Sequence, residues 1–257
     1  MGITMTPPKT VAVVGFKDSG KTRVVEALVG ELTRRGYRVG TLKHTAENIV
    51  FDTPGKDTAR HREAGAKATA ILHQNAAAIF IDDHVKVGDA VNALGDIDIL
   101  VIEGFKTLDT HARLLVPRLD EDIEKLRNGL EIAAVKIPGS RFSGDTDLPV
   151  VQLGDAPRLA DLVEEKAYPM LPGVNCHGCG YDGCQSLGEA ILGGEAEARQ
   201  CVRNRVEFTL RVNDETVPLG GFVQRAFKGM LVGFLRSLKG GGNPRRVEIA
   251  FEVEDDE

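Results

Sequence analysis

Two groups of residues in this chain have the types and spacing to do chemistry. The first is Gly15-Phe16-Lys17-Asp18-Ser19-Gly20-Lys21-Thr22. Glycines let a backbone curl so that successive N–H groups face inward, toward phosphate oxygens. The closing pair adds an ammonium for β/γ-phosphates, from Lys21, and a hydroxyl for Mg²⁺, from Thr22. The run therefore fits the phosphate-binding P-loop pattern G-x-x-x-x-G-K-S/T. Its context agrees. Val11-Ala12-Val13-Val14 reads as a buried strand before it, and Val24, Val25, Leu28, Val29 and Leu32 have helical spacing after it. The helix start would add its positive dipole end to the site. The second group is Cys176-x2-Cys179-x4-Cys184-x16-Cys201. Four thiolates so close in sequence suit Zn²⁺ or an iron–sulfur cluster. Zinc sites tend to use two tight C-x-x-C pairs, whereas this segment has one pair and a lone last ligand. Three clustered ligands and one remote ligand favour [4Fe–4S] over zinc. Gly178, Gly180 and Gly183 allow the backbone to wrap close to sulfur, and His177 reads as exposed rather than as a ligand.

A P-loop needs a second acid to orient Mg²⁺ or an attacking water, and a buried strand end is where it usually sits. Glu103 follows Ile99-Leu100-Val101-Ile102 and takes that place, so Lys21 and Glu103 are the candidate catalytic residues. Asp98, at the start of the same strand, is a weaker candidate. Asp52 and Asp57 lie after the second expected strand, where switch-type loops sense a terminal phosphate, and either can join the magnesium shell. Lys43, His44, Arg60, His61 and Arg62 form the densest basic cluster of the first half. They suit a second anionic ligand or, equally, a solvated face with salt bridges. The base is not legible. Guanine-specific P-loop proteins often carry a base-reading aspartate after a late strand, and Ala134-Val135-Lys136-Ile137-Pro138-Gly139 has none.

The elements that must position these residues alternate. Strands are expected at Thr10–Val14, Tyr37–Leu42, Thr69–Leu72, Ala77–Ile81, Asp98–Ile102, Leu114–Pro117, Glu131–Val135 and Pro149–Leu153. Helices are expected at about Gly20–Arg35, Val85–Leu94 and Asp155–Tyr168, with a short one ending near Ala64–Lys67. This is the pattern of an α/β P-loop NTPase with a mostly parallel, doubly wound sheet. Ligands of such sheets sit at the carboxyl edge of the strands. Pro169-Met170-Leu171-Pro172-Gly173 reads as a boundary. We expect a nucleotide domain over 10–168, an iron–sulfur segment over 169–204 and a small α+β region over 205–257. That last region holds strands at Val206–Val212 and Arg246–Val253 and an apolar helix from about Gly221 to Leu238.

Composition sets the remaining bounds. The chain has 257 residues, 42% of them apolar, and a formal charge of −6. It is no polycation for nucleic acid, although a local basic patch is compatible with that balance. No apolar run approaches the roughly eighteen residues of a spanning helix, and the first residues lack the pattern of a secretory signal. No cysteine precedes Cys176, which argues against a disulfide framework and for one metal site in a reducing cytoplasm.

Four motifs in order carry a resemblance: the Gly15–Thr22 loop, Thr41-Leu42-Lys43-His44, the run from Pro54 to Ala66, and Val101-Ile102-Glu103-Gly104-Phe105-Lys106. Together they resemble the molybdopterin-guanine dinucleotide biosynthesis protein B family over about residues 10–168. The resemblance implies GTP as the nucleotide, slow hydrolysis, and an accessory role beside a guanylyltransferase that joins GMP to molybdopterin. It also implies that Lys21 and Thr22 hold phosphate and Mg²⁺, that Glu103 lies at the nucleotide, and that Asp57 to Arg62 face the pterin phosphate or the partner. A homodimer is compatible with it. The Cys176–Cys201 segment resembles the four-cysteine [4Fe–4S] domain of anaerobic corrinoid and carbon-monoxide-metabolism proteins, over about 26 residues. Two other readings stand beside the accessory role: a redox-responsive iron–sulfur binding module, and a P-loop metallochaperone that docks a metalloenzyme.

Overall fold

The computed structural model describes residues 7–45, 49–82, 85–204, 210–212, 215–217, 221–238 and 247. The chain divides into two compact units, the first ending at Cys201 and the second continuing from Val202.

In the first unit the order is β1 (Lys9–Val14), α1 (Lys21–Arg34), β2 (Val39–Lys43), α2 (Asp57–Glu63), β3 (Ala68–His73), β4 (Ala76–Ile81), α3 (Val87–Ala93), β5 (Ile99–Glu103), β6 (Ala112–Leu115), α4 (Glu121–Leu126), β7 (Glu131–Lys136), β8 (Val150–Gln152), α5 (Ala156–Lys166), β9 (Tyr168–Pro169) and α6 (Cys184–Leu192). The main sheet runs β2-β5-β1-β6-β7-β8, all parallel, and the short β9 pairs antiparallel with the start of β1. β1, β5 and β6 are buried along almost their whole length, as central parallel strands covered on both faces must be. Their side chains alternate between two cores. Val11, Val13, Val101 and Leu114 pack with α1 and α5 residues such as Leu28, Leu32, Leu159 and Val163. Ala12, Val14, Leu100, Ile102 and Leu115 pack with Ile123, Leu126 and Phe142. Leu28 and Leu32 of α1 are fully buried, each stabilising the fold by about 1.5–3 kcal/mol.

Two expected strands leave this sheet. β3 and β4 pair only with each other, antiparallel, from Ala68↔Ile81 to His73↔Ala76. Two residues, Gln74 and Asn75, separate them, and so short a link permits only an antiparallel pair.

One buried cation organises the far side of the core. Arg113 on β6 is 2% exposed. Its guanidinium donates to the carbonyls of Leu126 at 3.2 Å, of Lys106 at 2.8 Å and of Leu108. It thereby ties down the irregular connection that leads from β5 back to β6, where a helix is lacking to satisfy the backbone. His111 beside it is fully buried, and burial, with Arg113 adding to it, pushes its pKa down to about 4.

The cysteine segment belongs to the same packed body. Cys184, Leu187, Ala190, Ala196 and Cys201 share a buried cluster with Leu159, Leu162, Tyr168 and Leu171. Gly188 of α6 lies so close to this body that an added Cβ would sit 2.5 Å from the Tyr168 hydroxyl and 2.8 Å from Leu130 Cδ2.

In the second unit β10 (Leu210–Val212) pairs antiparallel with β11 (Glu215–Val217), and α7 spans Gly221–Ser237. Of the expected strand at Val206–Val212 only 210–212 are described, and the one at Arg246–Val253 lies outside the described residues apart from Val247. Among the described residues no helix is long and apolar enough to cross a membrane.

Candidate functional site

β1 delivers Gly15 to the carboxyl edge of the sheet, and sterics demand glycine there. A Cβ would fall 2.4 Å from Ser19 Oγ and 2.6 Å from the Val116 carbonyl oxygen. The loop then curls, with Asp18 at φ 59° and Gly20 at φ 89°, both in the left-handed region. The Ser19 N–H donates to the Phe16 carbonyl at 3.3 Å, and the Lys21 ammonium donates to the same carbonyl at 2.6 Å. Ser19 is buried, and its hydroxyl has no hydrogen-bond partner. α1 begins with neither a side-chain cap nor an acid in its first turn. Its first N–H groups and its positive dipole end therefore face the loop uncompensated, an arrangement suited to an anion.

Glu103 closes the site from β5. In register it lies beside Val13 of β1 on one side and Lys43 of β2 on the other. Its Oε1 accepts from the Thr22 hydroxyl at 3.1 Å and pairs with the Lys43 ammonium at 3.2 Å. The pKa of Lys21 is lowered by burial, with Lys106 and Lys43 adding to that and Glu103 opposing it. After Glu103 the chain turns away through two left-handed residues, Gly104 at φ 100° and Phe105 at φ 54°. His44 fastens the turn. Its N–H donates to the Glu103 carbonyl at 3.0 Å, and its ring stacks on Phe105 with centroids 4.1 Å apart. Lys106 lies 4.4 Å from the centre of the Phe16 ring, and the Arg118 guanidinium 5.1 Å from it. Both distances suit cation–π contact.

On the other side of β1 a cavity of about 600 Å³ opens beside the loop. Asp18, Ser19, Gly20 and Arg23 line one side, with Arg118 and residues 137–141 opposite. Sequence reasoning missed Arg23, Arg118 and Arg141. The available signal was their position: Arg23 lies in the first turn of the helix after the P-loop, and the other two stand in loops that follow sheet strands, where side chains converge at the carboxyl edge.

The structure thus draws Gly15–Thr22, Lys43, His44 and Glu103 into one site and sorts the remaining candidates elsewhere. Asp98 binds Arg38, taking its N–H at 2.8 Å and its guanidinium at 2.7 and 3.1 Å, which holds the Asp98 pKa down at about 2. It sits at the amino end of β5, away from the loop. Arg62 binds Asp82 at 2.6 and 2.8 Å and faces Asp52 at 3.7 Å, at a separate cavity of about 450 Å³ beside Ile49, Val50 and Phe51. Asp57, Arg60 and His61 are exposed on α2. The basic cluster expected from sequence is therefore two: Lys43 and His44 at the P-loop, and Arg60, His61 and Arg62 on α2, of which Arg62 lines the second cavity.

The four cysteines differ in exposure. Cys176 is exposed, Cys179 half-buried, and Cys184 and Cys201 buried, and none is in a disulfide. The connecting loop takes left-handed conformations at Asn175, His177 and Gly180. Asn175 Oδ1 accepts the Cys184 N–H at 2.8 Å, which fixes the start of α6. His177 is exposed. Among the described residues no three His, Cys, Asp or Glu side chains gather into a set that would hold a single metal ion. The donor set is all sulfur and half of it is shielded from water, which fits a thiophilic group such as an iron–sulfur cluster.

A mostly parallel α/β sheet with a phosphate-binding loop at its carboxyl edge defines the P-loop NTPase fold. Within that fold the chain belongs to the family described as "Molybdopterin guanine dinucleotide synthesis protein B", which residues 10–145 match. Residues 171–203 match a second family, described as "Putative Fe-S cluster". A relative from Methanocaldococcus jannaschii, named "Putative molybdopterin-guanine dinucleotide biosynthesis adapter protein", is 29% identical over 95% of this chain and 98% of its own. The molybdopterin-guanine dinucleotide biosynthesis adapter protein of Escherichia coli is 28% identical over 64% of this chain and 95% of its own. The crystal structure of Bacillus subtilis MobB superposes with a TM-score of 0.53 at 27% identity, over 62% of this chain and 98% of the other.

Proposed function

We propose that this protein binds GTP with Mg²⁺ at the Gly15–Thr22 loop, hydrolyses it slowly, and acts as an accessory to the guanylyltransferase that completes molybdopterin guanine dinucleotide. In this reading Lys21 neutralises the β/γ-phosphates, while Thr22 and Glu103 hold the magnesium shell. The carrying observation is the 3.1 Å approach of the Thr22 hydroxyl to the Glu103 carboxylate, beside the P-loop lysine. The nucleoside occupies the cavity between Arg23, Arg118 and residues 137–141. GTP rather than ATP follows from the family relationship. The α2 face with Asp57, Arg60, His61 and Arg62 receives molybdopterin or the partner enzyme. Exposed apolar residues on β3 and β4, among them Leu72 and Ile79, support a homodimer.

Cys176, Cys179, Cys184 and Cys201 hold a [4Fe–4S] cluster, which when bound supplies one-electron chemistry. The buried pair shields it, and Asn175 sets the helix that carries Cys184. Thiols without disulfides suit the reducing cytoplasm. The nucleotide domain covers 10–168, the cluster segment 169–204 and the α+β region 205–257. A redox-responsive role has one observation in its favour, the shared core that joins α6 to the nucleotide unit.

The test is anaerobic purification, iron and sulfide analysis, and titration with GTP and ATP in the presence of Mg²⁺. GTP should bind more tightly than ATP, and Lys21→Ala should abolish binding. A Lys21→Ala protein that binds GTP as well as the parent would refute the assignment.

A further inference from the structure

Lys43 holds a position that its sequence neighbourhood does not explain. It ends β2, directly beside Glu103 of β5, so two oppositely charged side chains face each other at the carboxyl edge of the sheet. Their contact, at 3.2 Å, uses the same carboxylate oxygen that the Thr22 hydroxyl touches. The Lys43 side chain is 64% exposed. An ion pair that open contributes little to stability, so structural need is a poor account of it.

Topology supplies a better one. The sheet order places β5 and β2 on one side of β1, and β6 and β7 on the other. The cavity that suits a nucleoside lies on the β6/β7 side, lined by Arg118 and residues 137–141. A phosphate chain that starts there and crosses the P-loop ends on the β5/β2 side, where Lys43 stands. The local charge agrees. The Lys21 ammonium feels the charges of Lys106 and Lys43 on one hand and of Glu103 and, least, Asp18 on the other. Lys106 is engaged with the Phe16 ring and Lys21 belongs to the loop itself. Lys43 has a fixed base, because the His44 N–H bonds to the Glu103 carbonyl and the His44 ring stacks on Phe105, while its exposed tip is able to swing.

We infer that Lys43 is a ligand for the terminal phosphate of a nucleoside triphosphate, a second cation supplied by this chain itself that favours triphosphate over diphosphate. A group that recognises only the terminal phosphate gains nothing from a diphosphate, so its removal must separate the two affinities. This inference rests on the nucleotide reading above.

The experiment is calorimetric titration of the full-length protein with Mg²⁺ and either GDP or a slowly hydrolysed GTP analogue. It compares the parent with Lys43→Met, Lys43→Arg and Lys21→Ala. Because Lys43 is exposed, its variants should melt like the parent. Lys43→Met should weaken the triphosphate analogue tenfold or more and change GDP less than twofold, Lys43→Arg should recover most of the loss, and Lys21→Ala should abolish binding of both ligands. If Lys43→Met weakens both equally, or neither, while Lys21→Ala abolishes binding, the assignment of Lys43 is overturned and the nucleotide reading stands. If the parent binds neither ligand, both fall together.

Discussion

Replacing Gly188 by alanine tests whether the cysteine segment is packed as tightly as the geometry states. The new methyl carbon would lie 2.5 Å from the Tyr168 hydroxyl and 2.8 Å from Leu130 Cδ2. Neither neighbour has room to retreat, since Tyr168 is 3% exposed and Leu130 fully buried. Overpacking of this kind costs about 1–3 kcal/mol. For a unit of this size each kcal/mol lowers Tm by about 2–4 °C, so a cost near 2 kcal/mol should appear as a fall of about 4–8 °C. Tyr168→Phe removes the nearer obstacle. That hydroxyl is buried without a hydrogen-bond partner, so the single substitution should be close to neutral or slightly stabilising. The double variant should recover about half of the loss, because the Leu130 contact persists, giving a coupling of about 0.5–1.5 kcal/mol. Urea and thermal melts of the four proteins, followed by circular dichroism, measure it. A Gly188→Ala protein with parental stability, or strictly additive substitutions, would refute the docking of α6 against Tyr168.

Gly15→Ala should keep the secondary structure and lose at least tenfold in nucleotide affinity by titration, since the methyl would fall 2.6 Å from the Val116 carbonyl oxygen. His111 is held neutral by burial, with a pKa near 4 against about 6.5 in the unfolded chain. The unfolded state then takes up a proton first as pH falls, so the His111 contribution is complete above about pH 6.5 and is lost progressively toward pH 4, on the order of 3 kcal/mol in all. Urea melts from pH 7 to 4 should show that decline, and His111→Gln should flatten it. Cys176→Ser should abolish iron incorporation with little change in the melting of the iron-free protein, as Cys176 is exposed. Cys184→Ser should abolish incorporation and also cost about 1–2 kcal/mol, because it places a hydroxyl in the buried start of α6.

Much of this was legible in the residues. The Gly15–Thr22 run fits one backbone shape, and the apolar stretches around it have the lengths and periods of strand and helix. Glu103 was found because an acid that closes a buried strand has to surface at the sheet edge. What stayed hidden depends on residues distant in sequence. Lys43 and Arg62 read as one basic cluster, but β2 carries Lys43 to Glu103 while Asp82 and Asp52 hold Arg62 elsewhere. Arg113 carries no signal in the sequence; the connection from β5 to β6 folds over it and presents the Lys106 and Leu108 carbonyls, and the end of α4 presents that of Leu126. Asp98 already read as the weaker acid because it starts the strand that Glu103 ends, and the fold adds what it does there, which is to bind Arg38.

The sequence by itself determined the local chemistry: a loop able to curl around phosphate, four thiols spaced for a cluster, and strands and helices in alternation. Those properties arise within a few bonds of each residue, through backbone freedom, side-chain type and hydrophobic period. Tertiary structure alone decided which groups meet. The order β2-β5-β1-β6-β7-β8 sets Lys43 and Glu103 on one flank of the P-loop and the arginine-lined cavity on the other. It also decided that the cysteine helix shares the core of the nucleotide unit, because burying Leu187 and Ala190 needs an apolar surface that their own segment is too short to supply.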